Sequence, residues 1–160
     1  MLGNAIPRIP GEEAKIEREI RLLLGRVEAQ RRTEADVTVS AQVNRIPVVD
    51  GHTVCLPLGF DRPPDPAAAA DVLRAFRGGQ TVRRLPSAPE PPVRVVEGDD
   101  RPQPRLDLSE QNGMEVLVGR IRPCPLFDLR MVGLVHNTLR GAAAGAVLNA
   151  ELLVTEGWLG

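Results

Sequence analysis

The sequence predicts an α+β domain in which a mixed β-sheet carries the first and last helices on one of its faces. Apolar residues alternate between Val37 and Val43, as they do in strands with one buried side. Apolar residues three and four positions apart between Ile16 and Leu24 are typical of an amphipathic helix. The chain has 160 residues, of which 42% are hydrophobic, so it can bury one core.

The charge balance argues against two classes of partner. A net charge of -1 and a pI near 6.1 provide no basic surface for nucleic acid and no polybasic patch for a membrane. No apolar run reaches about 18 residues, and the N-terminus lacks the residue order of a signal peptide. We therefore expect a cytoplasmic protein that binds neither nucleic acid nor membranes, with Cys55 and Cys124 as free thiols.

The first helix is predicted over residues 12–24. A loop containing proline and glycine precedes it, and Gly25 stands where a glycine often ends a helix. Glu12 and Lys15, the only lysine, lie three residues apart in its first turn, so their side chains can meet. The simpler interpretation is a solvated ion pair worth roughly a few tenths of a kcal/mol. The alternative is a carboxylate and an ammonium that bind a ligand at one helix end.

The stretch from Arg45 to His52 is predicted to form the turn of a β-hairpin spanning residues 37–60. Arg45 continues one alternating row of apolar residues, and His52 precedes another. Asp50-Gly51 is a favoured pair for a two-residue turn, which would pair Val49 with His52. A regular ladder would put the Cα atoms of Arg45 and His52 about 13 Å apart, with both side chains on one face. A small acid could bridge them, although a solvated strand end with a surface arginine is the simpler alternative.

The remaining predicted elements are a helix over residues 67–76, strands over 114–121 and 129–135, and a last helix ending near Thr155. The proline-rich segment 86–113 is predicted to be a long surface excursion with one short strand. Asn137 or Thr138 is a suitable N-cap for the last helix, whose first N–H groups would face a ligand. Small residues over 141–145 let another helix, a subunit or a ligand approach its backbone.

Six motifs, collinear along the chain, resemble aspartate-semialdehyde dehydrogenases, most of all the archaeal and fungal branch. They are Asn4–Ile9, Glu12–Lys15, Arg45–His52, Arg101–Asp107, Val118–Pro123 and His136–Ala143. The resemblance implies a fold like the C-terminal domain of glyceraldehyde-3-phosphate dehydrogenase. It also implies reduction of L-4-aspartyl phosphate to L-aspartate 4-semialdehyde with NADPH, through a cysteine thioester, on the route to lysine, threonine and methionine.

The same resemblance implies roles for five residues. His52 would be the catalytic acid/base that handles the thiol proton. Arg45 would bind the substrate carboxylate, which a planar guanidinium can grip with two hydrogen bonds. Glu12 would bind the substrate amino group and Lys15 the phosphate. Asn137 would contact the NADP cofactor.

Two parts of that family's pattern are not found. No Gly-rich dinucleotide turn opens a strand–turn–helix unit, and no segment matches the one that supplies the nucleophilic cysteine. Cys55 would face away from His52 by strand alternation, and Cys124 lies between two prolines, so we expect both to be structural. Residues 1–160 are therefore expected to be the C-terminal substrate-binding and dimerisation domain, inactive without an NADP-binding domain that carries the cysteine.

Three hypotheses about function stay open at this point. One is a half-enzyme that forms a homodimer or higher oligomer and is completed by an N-terminal half in trans. Another is a non-catalytic dimerisation or binding module of the same fold. The third is part of a malonyl-CoA reductase-like paralogue, whose larger acyl carrier needs a more open site beside Lys15. An isolated half is expected to expose apolar surface and to be marginally stable as a monomer.

Overall fold

The computed structural model describes residues 3–29, 31–108 and 113–159. The chain divides into two compact units, Met1–Pro47 and Val48–Gly160. The first unit contains α1 (Glu12–Leu24), β1 (Arg26–Glu28) and β2 (Arg31–Thr33). The second contains β3 (His52–Leu58), α2 (Pro66–Ala75), a 3-10 turn (Val82–Arg84), β4 (Val93–Val96), α3 (Pro104–Asp107), β5 (Val116–Pro123), β6 (Leu129–Val135), a π-helical turn (Leu139–Ala143) and α4 (Ala144–Thr155). Among the described residues, no helix is long and apolar enough to span a membrane.

The first unit is organised around α1, whose bounds agree with the predicted helix over residues 12–24. Gly25 follows α1, but its backbone is extended, with φ of -73°. A Cβ atom at this position would overlap the carbonyl oxygen of Thr33 in β2. Glycine is therefore needed because β2 passes close by, and not because the helix ends in a left-handed turn.

The predicted hairpin over residues 37–60 is wrong. Its first half belongs to no strand, and carboxylates of α1 accept hydrogen bonds from two of its N–H groups. The N–H of Ala41 donates to the carboxylate of Glu17 at 2.9 Å. The N–H of Val43 donates to the carboxylate of Glu13 at 3.1 Å. Because residues four apart share a helix face, these two glutamates form a short row that replaces a partner strand.

The second unit is organised around a four-stranded sheet with the strand order β3-β6-β5-β4. β6 pairs antiparallel with both β3 and β5, whereas β4 pairs parallel with β5. The prediction of a mixed sheet is therefore confirmed. The strand that pairs with β3 is β6, from His52 opposite Val135 to Leu58 opposite Leu129.

The core of the second unit includes neighbouring positions on β5 and β6. Leu117 and Leu134 are each 1% exposed and pack with Val96 and Leu108. A further cluster consists of Leu85, Met114 and, from α4, Leu148. The helix α2 contacts β4 and β5. The packing of α1 on this sheet stays a prediction.

For the segment 86–113, the predicted short strand is confirmed by β4, whereas the predicted surface excursion is wrong for the part that the structure describes. It contributes β4, α3 and a fully buried aspartate, Asp107. The guanidinium of Arg101 donates hydrogen bonds to both oxygens of Asp107, and this interaction lowers the pKa of the carboxyl group. The N–H of Gln103 also donates to Asp107. An ion pair with a fully buried carboxylate and a partly exposed guanidinium thus satisfies polar groups in a segment with little regular structure.

Candidate active-site residues

In the second unit, the structure brings together two of the residues singled out in the sequence. His52 is the first residue of β3, lies opposite Val135 of β6, and has an exposed side chain. Asn137 follows β6 by two residues, and continuing the register would put it opposite Asp50, next to Gly51. The N–H of Gly51 donates to Oδ1 of Asn137 at 2.7 Å. Asn137 therefore holds the backbone that leads into His52.

Position 51 has no room for a side chain larger than that of glycine. Its φ of 110° is rare for other residues. A Cβ atom would also lie 2.8 Å from Cδ1 of Leu108 and 3.2 Å from Cδ1 of Leu134. The positive φ of Gly51 therefore accompanies a bond to Asn137 and not a hairpin turn.

Gly51→Ala is expected to destabilise the protein by about 1–3 kcal/mol, because it adds backbone strain and crowds two leucines. Urea unfolding followed by circular dichroism measures this loss. Gly78→Ala is the matched control, since Gly78 has φ of 73° but nothing lies within 4 Å of the place that its Cβ atom would take. A Gly51→Ala variant no less stable than Gly78→Ala would show that the crowding has no consequence.

In the first unit, Glu12 and Lys15 occupy the first turn of α1, as expected. Glu12 is partly buried and Lys15 is exposed. The described part of the chain contains no ion pair between them, so the simpler interpretation of the motif is not supported. Unlike Glu13 and Glu17, Glu12 also makes no side-chain hydrogen bond within the described residues. The two charged groups therefore do not neutralise each other within the described residues.

Arg45 also lies in the first unit, where its backbone is fixed and its side chain is exposed. Its carbonyl accepts from the N–H of Ile6 at 2.9 Å, and its own N–H donates to the carbonyl of Ile6 at 2.8 Å. No ion pair of Arg45 is found among the described residues. The hairpin that predicts a separation of about 13 Å between Arg45 and His52 does not form, so the role of Arg45 stays a prediction from the resemblance alone.

The two cysteines differ in their surroundings. Cys55 is exposed and lies three residues after His52 in β3, so strand alternation directs its thiol to the opposite face. Cys124 is partly buried, and hydrogen bonds from the N–H groups of Leu126 and Phe127 lower the pKa of its thiol. The sequence showed two flanking prolines and not these donors. In the described ranges, no cluster of His, Cys, Asp and Glu could hold a metal ion.

Comparison with known proteins supports the resemblance. Residues 1–140 match the family model described as semialdehyde dehydrogenase, dimerisation domain. The aspartate-semialdehyde dehydrogenase of Cryptococcus neoformans is 42% identical to this chain. The aligned region covers 98% of this chain and 45% of the Cryptococcus protein. The aspartate-semialdehyde dehydrogenase of Archaeoglobus fulgidus is 44% identical to this chain, and the aligned region covers 96% of this chain and 43% of the Archaeoglobus protein. This chain therefore spans about half the length of the curated relatives it matches.

A solved structure agrees with the fold. The aspartate-semialdehyde dehydrogenase of Candida albicans, crystallised with NADP, superposes with a TM-score of 0.93 and 40% identity. The superposition covers 99% of this chain and 46% of the Candida chain. The expected α+β fold is therefore confirmed. The chain belongs to the semialdehyde dehydrogenase dimerisation-domain family and corresponds to the C-terminal part of aspartate-semialdehyde dehydrogenases.

Proposed function

We propose that this chain supplies the substrate-binding and acid/base half of an NADP-dependent aspartate-semialdehyde dehydrogenase in amino-acid biosynthesis. The observation that carries the proposal is the bond between Gly51 and Asn137, which fixes the backbone at His52 while its imidazole stays exposed. Such a group can exchange a proton with a substrate or with a thiol in a second domain. The family to which the chain belongs supplies the class of reaction.

Each proposed role agrees with the chemistry of the side chain. Arg45 would bind the substrate carboxylate through two parallel hydrogen bonds, and Glu12 would bind the substrate amino group. Lys15 would bind the phosphate as a point charge. His52 would accept the proton of the nucleophilic thiol and move a proton at the hemithioacetal oxygen. Three of these side chains would bind and orient the substrate, and His52 would transfer the proton. The nucleophilic thiol would come from the N-terminal half of the enzyme.

Asn137 fits a contact with NADP. Its Oδ1 accepts from Gly51, which leaves its amide N–H groups free to donate to a cofactor. When bound, NADPH supplies the hydride for the reduction. The Candida relative was crystallised with NADP, which favours this cofactor for the complete enzyme. A family of dimerisation domains favours a homodimer or a higher homo-oligomer.

The decisive experiment is complementation. The purified chain alone, and the chain mixed with an NADP-binding half that carries the nucleophilic cysteine, are assayed for phosphate-dependent reduction of NADP by aspartate semialdehyde. We expect activity only in the mixture, because the chain holds the substrate and the proton while the other half holds the thiol and the cofactor. An inactive mixture whose halves demonstrably associate would favour a non-catalytic dimerisation module.

Two conservative variants make the assay specific. In Arg45→Lys the two parallel hydrogen bonds to a carboxylate are lost, so KM for aspartate semialdehyde should rise about tenfold or more with little change in kcat. Arg62→Lys, in an exposed loop, is the matched control and should behave like the wild type. Malonyl-CoA, tested as an alternative substrate, should show no turnover.

A further inference from the structure

Three arginines cluster where β5 meets β6. Arg122 of β5 lies directly opposite Arg130 of β6, and Arg120 precedes Arg122 by two residues. Like charges placed opposite each other destabilise a sheet. Among the residues that the structure describes, none of the three forms an ion pair within 4 Å. The cluster is therefore a concentration of positive charge that internal carboxylates leave unpaired.

Arg122 is the most constrained of the three. Its Nε atom is buried and has no hydrogen-bond partner. Burial lowers the pKa of its guanidinium, and the charges of Arg130 and Arg120 lower it further, while only Asp99 and Cys124 oppose this effect. Buried donors in proteins nearly always have a partner, so a buried Nε without one, beside two like charges, is unusual. The rest of the side chain is partly exposed, and an anion can reach it.

The backbone at the cluster is bent in an unusual way. Gly119 pairs with Val132 and Arg122 pairs with Arg130, so the two residues between them on β5 face a single residue on β6. This bulge puts Arg120 at φ of 54°, a conformation that favours glycine. An arginine in such a place indicates that its side chain is needed there, since bulges often direct a side chain toward a site.

The cluster is distinct from the region around His52. Arg130 lies opposite Pro57, which follows His52 by five residues in β3, or about 16 Å along the strand. Side chains five positions apart in a strand also point to opposite faces of the sheet. The cluster therefore lies at the other end and on the other face of β3 from His52.

We propose that Arg120, Arg122 and Arg130 form a binding site for an oxyanion. Guanidinium groups bind phosphate and carboxylate oxygens through paired, charge-assisted hydrogen bonds. The Nε of Arg130 donates to the carbonyl of Pro123 at 3.1 Å, which orients that guanidinium and leaves its terminal nitrogens for the anion. The oxyanion comes either from free phosphate-class ions or from a carboxylate of a second copy of the chain. This site does not depend on the proposed enzymatic function.

Nuclear magnetic resonance of the arginine Nε–H groups tests the proposal. In one arm, dilute protein is titrated with inorganic phosphate against sodium chloride at matched ionic strength. In the other, the protein is concentrated without phosphate. We expect the Arg122 and Arg130 signals to shift saturably in one of the two arms. Shifts that depend on the phosphate concentration identify a free ion as the ligand. Shifts that depend on the protein concentration identify a carboxylate of a second chain.

Variants separate a binding role from a structural one. Arg122→Gln should abolish the response of Arg130 or weaken it about tenfold, whereas Arg62→Gln, which removes the same charge elsewhere, should leave it unchanged. Arg120→Gly should raise the melting temperature without anion, because it relieves the left-handed backbone, and should weaken the response. Absence of saturable shifts in both arms, or an Arg130 response unaffected by Arg122→Gln, would overturn the proposal.

Discussion

His52→Gln is expected to lower kcat of the complemented enzyme by about 10²–10⁴-fold, with KM changed little. Glutamine keeps a polar side chain of similar size at the start of β3 but cannot take up and return a proton. The bond between Gly51 and Asn137 does not involve the imidazole, so the backbone should stay in place. Steady-state kinetics of the mixture, together with circular dichroism of the variant alone, separate lost chemistry from lost structure.

The chain contains its own control for this experiment. Its other histidine, His136, lies beside Asn137, and its Nδ1 is 3.2 Å from the hydroxyl oxygen of Thr138. His136→Gln alters the same region without removing the proposed acid/base, so its kcat should stay within about tenfold of the wild type. If His136→Gln abolished activity and His52→Gln did not, the assignment of the acid/base would be wrong.

Asp107→Asn is expected to be strongly destabilising, with a loss of about 3–5 kcal/mol in the free energy of unfolding. The side chain of Asp107 is fully buried, and its carboxylate accepts from Arg101 and from the N–H of Gln103. An amide would remove the negative charge that faces the guanidinium of Arg101 and would place an N–H donor against the donors that now bind the buried carboxylate. Urea unfolding of the wild type and the variant measures the difference.

A paired replacement shows whether the lost ion pair is the cause. Breaking a buried pair costs far more than replacing both partners by apolar groups of similar size. The double variant Arg101→Met with Asp107→Leu should therefore recover much of the stability lost by Asp107→Asn. A double variant less stable than the single one would show that these residues act mainly through their other contacts.

Stability should also depend on pH through Asp107. Hydrogen bonds from Arg101 lower the pKa of this carboxyl in the folded protein below its value of about 3.9 in the unfolded chain. The stabilisation is therefore fully present above about pH 4 and is lost as the pH falls through the lower, folded-state pKa. Urea midpoints between about pH 5 and pH 2 should fall less steeply in Asp107→Asn than in the wild type. Equal slopes would contradict this contribution.

The local elements of this protein can be predicted from its sequence. The bounds of α1 and of β6 agree with the spacing of apolar residues, because a helix or a strand needs only its own side-chain period to define its buried face. The collinear motifs likewise indicate the family by their residues and order alone. The roles of Glu12, Lys15 and Arg45 rest on the same resemblance, because the structure shows their positions and not their ligands.

Strand pairing and burial were decided only by the tertiary structure. Alternating residues define which face of a strand is buried but not which strand lies beside it, so the sequence pairs β3 with the segment before it, whereas its partner is β6. The sequence likewise predicts a surface loop around Asp107, because nothing local shows that Arg101 folds back onto it. The arginine cluster exists only in the register of β5 and β6. The two strand pairings join segments whose approach depends on the packing of the whole unit, and the bond to Asp107 depends on a burial that the local sequence does not show.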